Sequence, residues 1–66
     1  MRVTINGEAR ETEPVKNIAE LVAALGWPAP AILVEHNGVA LRRDEWSERA
    51  MAEGDVLEII RIVAGG

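Results

Sequence analysis

At 66 residues the chain has room for one domain, and folding at this length buries only about 60% of the surface that an unfolded chain exposes. It has no cysteine, so no disulfide framework offsets the small core, while a hydrophobic content of 48% argues against disorder. A net charge of −4 disfavours nucleic acid, whose binding rests on neutralised phosphates, and no run of about 20 apolar residues is present to span a membrane. The basic residues are scattered, with only Arg42 and Arg43 adjacent. The two tryptophans, without phenylalanine or tyrosine, make no platform for stacking bases. Such an acidic domain suits a basic protein partner. Met1 leads at once into an amphipathic strand pattern, with no signal-peptide core, so a cytoplasmic location is expected.

Val3 and Ile5 alternate with Arg2, Thr4 and Asn6, which predicts a half-buried strand. Asn6-Gly7 is the preferred dipeptide of a two-residue hairpin turn, and the polar stretch Glu8 to Thr12 follows as an edge strand. Asn17 with Glu20 forms a capping-box-like helix start. Ile18, Leu21, Val22 and Leu25 then fall on one apolar stripe, and Gly26, Pro28 and Pro30 end the helix. Ile32-Leu33-Val34 is an apolar run suited to a central strand. Asn37-Gly38 predicts a second hairpin into Val39-Ala40-Leu41. Asp44 to Met51 predicts a short helical turn, with Asp44 as cap and Trp46 and Met51 inward. Glu53-Gly54-Asp55 is a turn, and Val56 to Ile62 the last strand.

A hairpin, a helix, a second hairpin, a short turn and a final strand assemble most simply into an α+β roll. The expected architecture is a mixed sheet of four to five strands with one main helix across it, the β-grasp or ubiquitin-like arrangement. Residues 1–62 form this domain, and residues 63–66 are expected to be a flexible C-terminal Gly-Gly tail.

Side chains offer little for catalysis. His36 is the one histidine and Ser47 the one serine. Beside the Asn37-Gly38 turn, His36 is expected to be a solvated residue at the end of its strand. Zinc needs three or four nitrogen or sulfur ligands, and the acidic residues Asp44, Glu45, Glu48, Glu53 and Asp55 lack the spacing of a calcium loop. No glycine pattern matches a phosphate-binding loop. Trp46 reads as core, whereas Trp27, between the helix stop and Pro28, is left partly exposed.

In the last strand Leu57 and Ile59 are the natural core pair, which puts Ile60 and Ile62 on the opposite face. With one helix covering one face, Ile60 and Ile62 are either a partner-binding patch or covered by neighbouring loops. Beyond them, Val63, Ala64, Gly65 and Gly66 can extend roughly 13 Å at about 3.3 Å per residue. Lacking Cβ atoms, Gly65 and Gly66 can thread a channel too narrow for other residues. On this reading the reactive group is the Gly66 carboxylate. Otherwise the glycines are a frayed end.

The Asn6-Gly7-Glu8 turn, Ile18-Ala19-Glu20-Leu21 through Leu25-Gly26, and Val34-Glu35-His36-Asn37-Gly38 run in that order. Arg43-Asp44-Glu45-Trp46, Gly54-Asp55-Val56-Leu57-Glu58-Ile59 and Gly65-Gly66 complete the set. In this order the segments resemble the ubiquitin-like sulfur carriers of the MoaD/ThiS family, over nearly the whole chain and most closely its thiamine-biosynthesis branch. The departures are Ala64, where many members carry glycine, and the lack of a proline before Arg43.

The resemblance implies a carrier that is a substrate for other enzymes and not itself an enzyme. A ThiF-type, E1-like adenylyltransferase would use ATP and magnesium to adenylate Gly66, with Val63, Ala64 and Gly65 threading the partner's active site. A cysteine-derived sulfur donor would then yield a thiocarboxylate, consumed at a ThiG-type thiazole synthase. The carrier itself would bind no cofactor and no metal. A carrier for molybdopterin or another thiolation route, and a β-grasp interaction module with an inert tail, are the alternatives the residues leave.

Overall fold

Both Asn-Gly dipeptides do what their chemistry demands. In the computed structural model, which describes residues 1–62, Asn6 and Gly7 have φ of 52° and 83°, and Asn37 and Gly38 have 48° and 84°. Positive φ at both central positions is the type I′ geometry that matches strand twist. The turns join β1 (Arg2–Ile5) to β2 (Glu8–Glu11), and β3 (Ile32–His36) to β4 (Val39–Leu41). The last strand, β5 (Val56–Arg61), enters between the hairpins, so the order is β2-β1-β5-β3-β4. It runs parallel to β1 and antiparallel to β3. This is the expected β-grasp sheet with five strands, and β2, exposed along its length, is the expected edge. The expected tail, Val63, Ala64, Gly65 and Gly66, lies outside the described residues.

The helix α1 (Ile18–Leu25) starts where Asn17 Oδ1 accepts from the Glu20 N–H at 2.8 Å. The Glu20 carboxylate reaches back one residue further than in a standard capping box, accepting from the Lys16 N–H at 2.9 Å. It ends at Gly26 with φ 74°. Ile18, Leu21 and Val22 face the sheet and pack with Val3, Ile5, Val34, Leu57 and Ile59 into one core. A 3₁₀ segment over Arg43–Glu48 brings Trp46 under the same core, and Met51 closes it. Asp44 does not cap that segment. Its carboxylate accepts from Arg42 Nε at 3.2 Å, and the Glu45 carboxylate accepts from the Arg42 N–H at 2.7 Å.

β3 departs from a strand buried on both faces. Its burial alternates, with Ile32, Val34 and His36 inward and Leu33 54% exposed, because α1 covers only one side of the sheet.

Each turn asparagine also pairs with β5 through its side chain. Where β1 ends, the Asn6 amide takes the place of the next rung: Nδ2 donates to the Ile59 carbonyl at 3.0 Å and Oδ1 accepts from the Ile59 N–H at 2.8 Å. Asn37 Oδ1 accepts from the Val56 N–H at 2.8 Å. Asn6→Gly keeps the backbone freedom and removes only the amide. It is expected to cost about 1–3 kcal/mol, since it strands a backbone donor and acceptor of Ile59. Urea unfolding measures this, and a loss below about 0.5 kcal/mol would show that the clamp contributes nothing.

Candidate functional site

The face of the sheet away from α1 is where apolar side chains meet solvent. Alternation along β5 turns Leu57 and Ile59 inward, 0% and 4% exposed, and turns Val56, Glu58 and Ile60 outward. Ile60 is 60% exposed and Ile62, just past the strand, 46%. Among the described residues no neighbouring loop covers them. The β3–β5 register sets Leu33 directly opposite Ile60, so the patch extends onto β3. The next rung pairs Glu35 with Glu58, both exposed. Hence the patch lies at the end of β5 from which residues 63–66 continue. Gly66, the expected reactive residue, and Val63, Ala64 and Gly65 lie outside the described residues.

On the helix side of the same strand end, Trp27, Pro28, Ile32 and Arg61 border an open groove of about 490 Å³. Trp27 is half-buried there, as expected of a residue between the helix stop and Pro28.

His36 is not the solvated residue expected. It is 4% exposed, because the register with Leu57 turns it into the core face. Its Nε2 lies 2.7 Å from Asp55 Oδ2, and Arg49 Nε donates to its Nδ1 at 2.9 Å. An arginine N–H can only donate, so Nδ1 is the acceptor and Nε2 carries the hydrogen given to Asp55. Asp55 also accepts from the Ala52 N–H at 2.8 Å and from Asn37 Nδ2 at 3.1 Å. Burial works to raise the Asp55 pKa, but the hydrogen bonds from His36, Ala52 and Asn37 outweigh it and hold the carboxyl below its ordinary range.

Both imidazole nitrogens are thus used within the fold, and the pair ties the β3–β4 turn to the loop before β5. A general base needs a nitrogen free for substrate, and His36 offers none in this arrangement. Nitrogen NMR is expected to show the Nε2–H tautomer, with Nδ1 as the bare nitrogen. The opposite tautomer would contradict the Arg49 contact. Among the described residues, no three histidine or carboxylate side chains converge as metal ligands. No helix is long and apolar enough to cross a membrane.

The chain as a whole is similar to known proteins. A model of the ThiS family matches residues 3–66. A thiazole synthase of Paramagnetospirillum magneticum is 30% identical over 66 residues, which cover 100% of this chain and 20% of that protein. A thiazole synthase of Magnetococcus marinus is 26% identical with the same coverage. The chain therefore spans about a fifth of the length of the curated relatives it matches. The crystal structure of the thiamine biosynthesis protein ThiS from Geobacter metallireducens superposes with a TM-score of 0.83 at 30% identity, covering 100% of both chains. The solution NMR structure of a thiamine biosynthesis protein from the same organism gives 0.82 at 30% identity, covering 100% of this chain and 88% of that one.

Proposed function

The chain belongs to the ThiS family, and from that membership we propose that it is a cytoplasmic sulfur carrier for building the thiazole ring of thiamine. The observation that carries the reading is the extent of the family match: it runs to residue 66 and so takes in Gly65 and Gly66. Two proteins named thiazole synthase match the whole chain along a fifth of their own length, which supports a ThiG-type partner.

In the proposed reaction a carboxylate oxygen of Gly66 attacks the α-phosphorus of ATP, and pyrophosphate leaves. A ThiF-type enzyme holds the ATP and its magnesium. The acyl adenylate is a good electrophile, so the terminal sulfur of a cysteine-derived persulfide displaces AMP to give an acyl disulfide, and a thiol then reduces its S–S bond and releases the thiocarboxylate. That sulfur is delivered at thiazole synthase. The chain supplies no catalytic side chain; it is the substrate of one enzyme and the sulfur donor at another. Ile60 and Ile62 serve as part of the partner interface, and Val63, Ala64 and Gly65 as the thread that presents Gly66. Any Cβ at the last two positions narrows the channels that can accept it.

Intact-mass spectrometry tests the proposal. After incubation with a ThiF-type enzyme, ATP, magnesium and a sulfur donor, the chain is expected to gain the mass difference of sulfur replacing oxygen. A chain lacking Gly66 is expected to gain nothing. A wild-type chain that stays unmodified with every E1-like enzyme of this kind, or equal loading of the truncated chain, would overturn the reading.

A further inference from the structure

Asn6-Gly7 and Asn37-Gly38 are reactive as well as turn-forming. Glycine has no Cβ to shield its backbone nitrogen, so in an Asn-Gly pair that nitrogen can attack the asparagine Cγ. The N–Cγ bond forms, the Cγ–Nδ2 bond breaks, and Nδ2 leaves as ammonia with the proton of the glycine N–H. Water then opens the succinimide ring at either carbonyl, giving aspartate or isoaspartate. The attack needs the carboxamide to turn onto the following peptide, so a carboxamide bonded to β5 must first let go. The two turns differ in what that release strands. Asn6 holds both backbone groups of Ile59, inside β5, at 3.0 and 2.8 Å, and releasing it leaves a part-buried donor and acceptor. Asn37 accepts from the N–H of Val56, the first residue of β5 and 47% exposed, where water can take its place. Its Nδ2 lies 3.4 Å from His36 Nε2, which already carries a hydrogen and cannot accept. The bond that holds the Asn37 carboxamide against water is therefore the one from Nδ2 to Asp55 Oδ1, at 3.1 Å.

We propose that Asn37 is a site of spontaneous deamidation, gated by Asp55, that reacts ahead of Asn6 in the folded chain. Asp55 acts as a positioning residue: its carboxylate keeps the Asn37 carboxamide bonded within the fold and off the Gly38 nitrogen. The reaction destroys its own lock. Aspartate at this position puts an oxygen where Nδ2 was, 3.1 Å from Asp55 Oδ1, and two carboxylates so placed repel. Isoaspartate adds a backbone methylene to a two-residue turn whose length sets the β3–β4 register. Either product loosens the joint between the β3–β4 turn and the start of β5, including the His36–Asp55 pair. A modified chain cannot restore that joint by refolding, because the amide is gone.

The test incubates the wild-type chain at mildly alkaline pH, folded or in urea, and reads aspartate and isoaspartate at each asparagine by peptide-mapping mass spectrometry. In urea the two sites are expected to convert at similar rates, since each is followed by glycine. In the folded chain both slow down, and Asn37 is expected to convert faster than Asn6 by about fivefold or more, because its release strands no buried backbone group. Asp55→Ala is expected to raise the ratio of Asn37 to Asn6 conversion about tenfold further, while Asn6 speeds up only as far as overall stability falls. Equal conversion of the two sites in the folded wild type, or Asn6 ahead, would overturn the proposal. An unchanged ratio in a folded Asp55→Ala chain would overturn the gating by Asp55. If Asp55→Ala does not fold, Asn37→Asp decides the gate: aspartate tolerates the same turn conformation, so a lowered thermal midpoint is expected from the apposed carboxylates, and an unchanged midpoint overturns it.

Discussion

Leu57→Ala is expected to remove about 2–5 kcal/mol, a large share of the stability of so short a chain. Leu57 is 0% exposed and lies on β5, the strand bonded on both sides in the middle of the sheet. Its register partners are Ile5 on β1 and His36 on β3. A buried leucine cut to alanine costs about 2–5 kcal/mol, with the upper end where the site cannot collapse. Between two bonded neighbours and a helix, this site has little freedom to collapse. At roughly 0.05–0.15 kcal/mol per residue, a chain of 66 residues has only about 3–10 kcal/mol in total. Circular dichroism with urea titration measures the loss. A variant that keeps a cooperative transition within about 1 kcal/mol of the wild type would contradict the described core.

The second large effect is expected from Asp55→Ala. The carboxylate gathers three donors: the His36 ring, the Ala52 N–H and the Asn37 amide. Removing it leaves all three in a site that is 9% exposed at Asp55 and 4% at His36. Stranding buried polar partners costs about 1–3 kcal/mol each before relaxation, so a total of about 3 kcal/mol or more is expected. The effect has a sign in pH. The Asp55 pKa is lowered in the folded state, so the unfolded chain takes up the proton first as pH falls. The stabilisation is complete above the ordinary carboxylate range and is lost as pH falls through the lowered value. The gap between wild type and Asp55→Ala should therefore narrow in acid. A gap that is constant between neutral pH and the acid limit of folding would mean that Asp55 does not hold this network as a carboxylate.

Much of the architecture was legible because its signals are local. Asn6-Gly7 and Asn37-Gly38 specify tight turns through the φ they tolerate, and the stripe from Ile18 to Leu25 specifies which helix face is covered. Leu57 and Ile59 were readable as core because a strand alternates with period two. What failed was non-local. Nothing near His36 in sequence announces Asp55, which lies 19 residues away and meets it only once β5 has entered the sheet. A histidine beside a turn reads as solvated until the register turns it inward. The side-chain clamps of Asn6 and Asn37 were hidden for the same reason: the dipeptide explains the asparagine completely, so a second role leaves no trace. Ile32-Leu33-Val34 is the interior strand expected, but the run does not tell how many of its faces are covered. Leu33 is apolar and exposed, which made the patch with Ile60 larger than β5 alone indicates. The patch residues Ile60 and Ile62 were legible as outward-facing from β5 alternation, while their role in binding a partner remains the proposal above.

The position of the last strand in the middle of the sheet has a mechanical consequence. A partner that draws on the chain end pulls β5 along its own axis at Ile62. β1 lies parallel on one flank and β3 antiparallel on the other, so the load acts in shear on both ladders at once. Neither ladder can unzip rung by rung, as an edge strand peeled sideways would. The asparagine clamps cross the strand at Val56 and Ile59 and must break in the same event. Pulling on this chain between its first and last described residues should give one sharp rupture at high force, with no gradual unravelling before it.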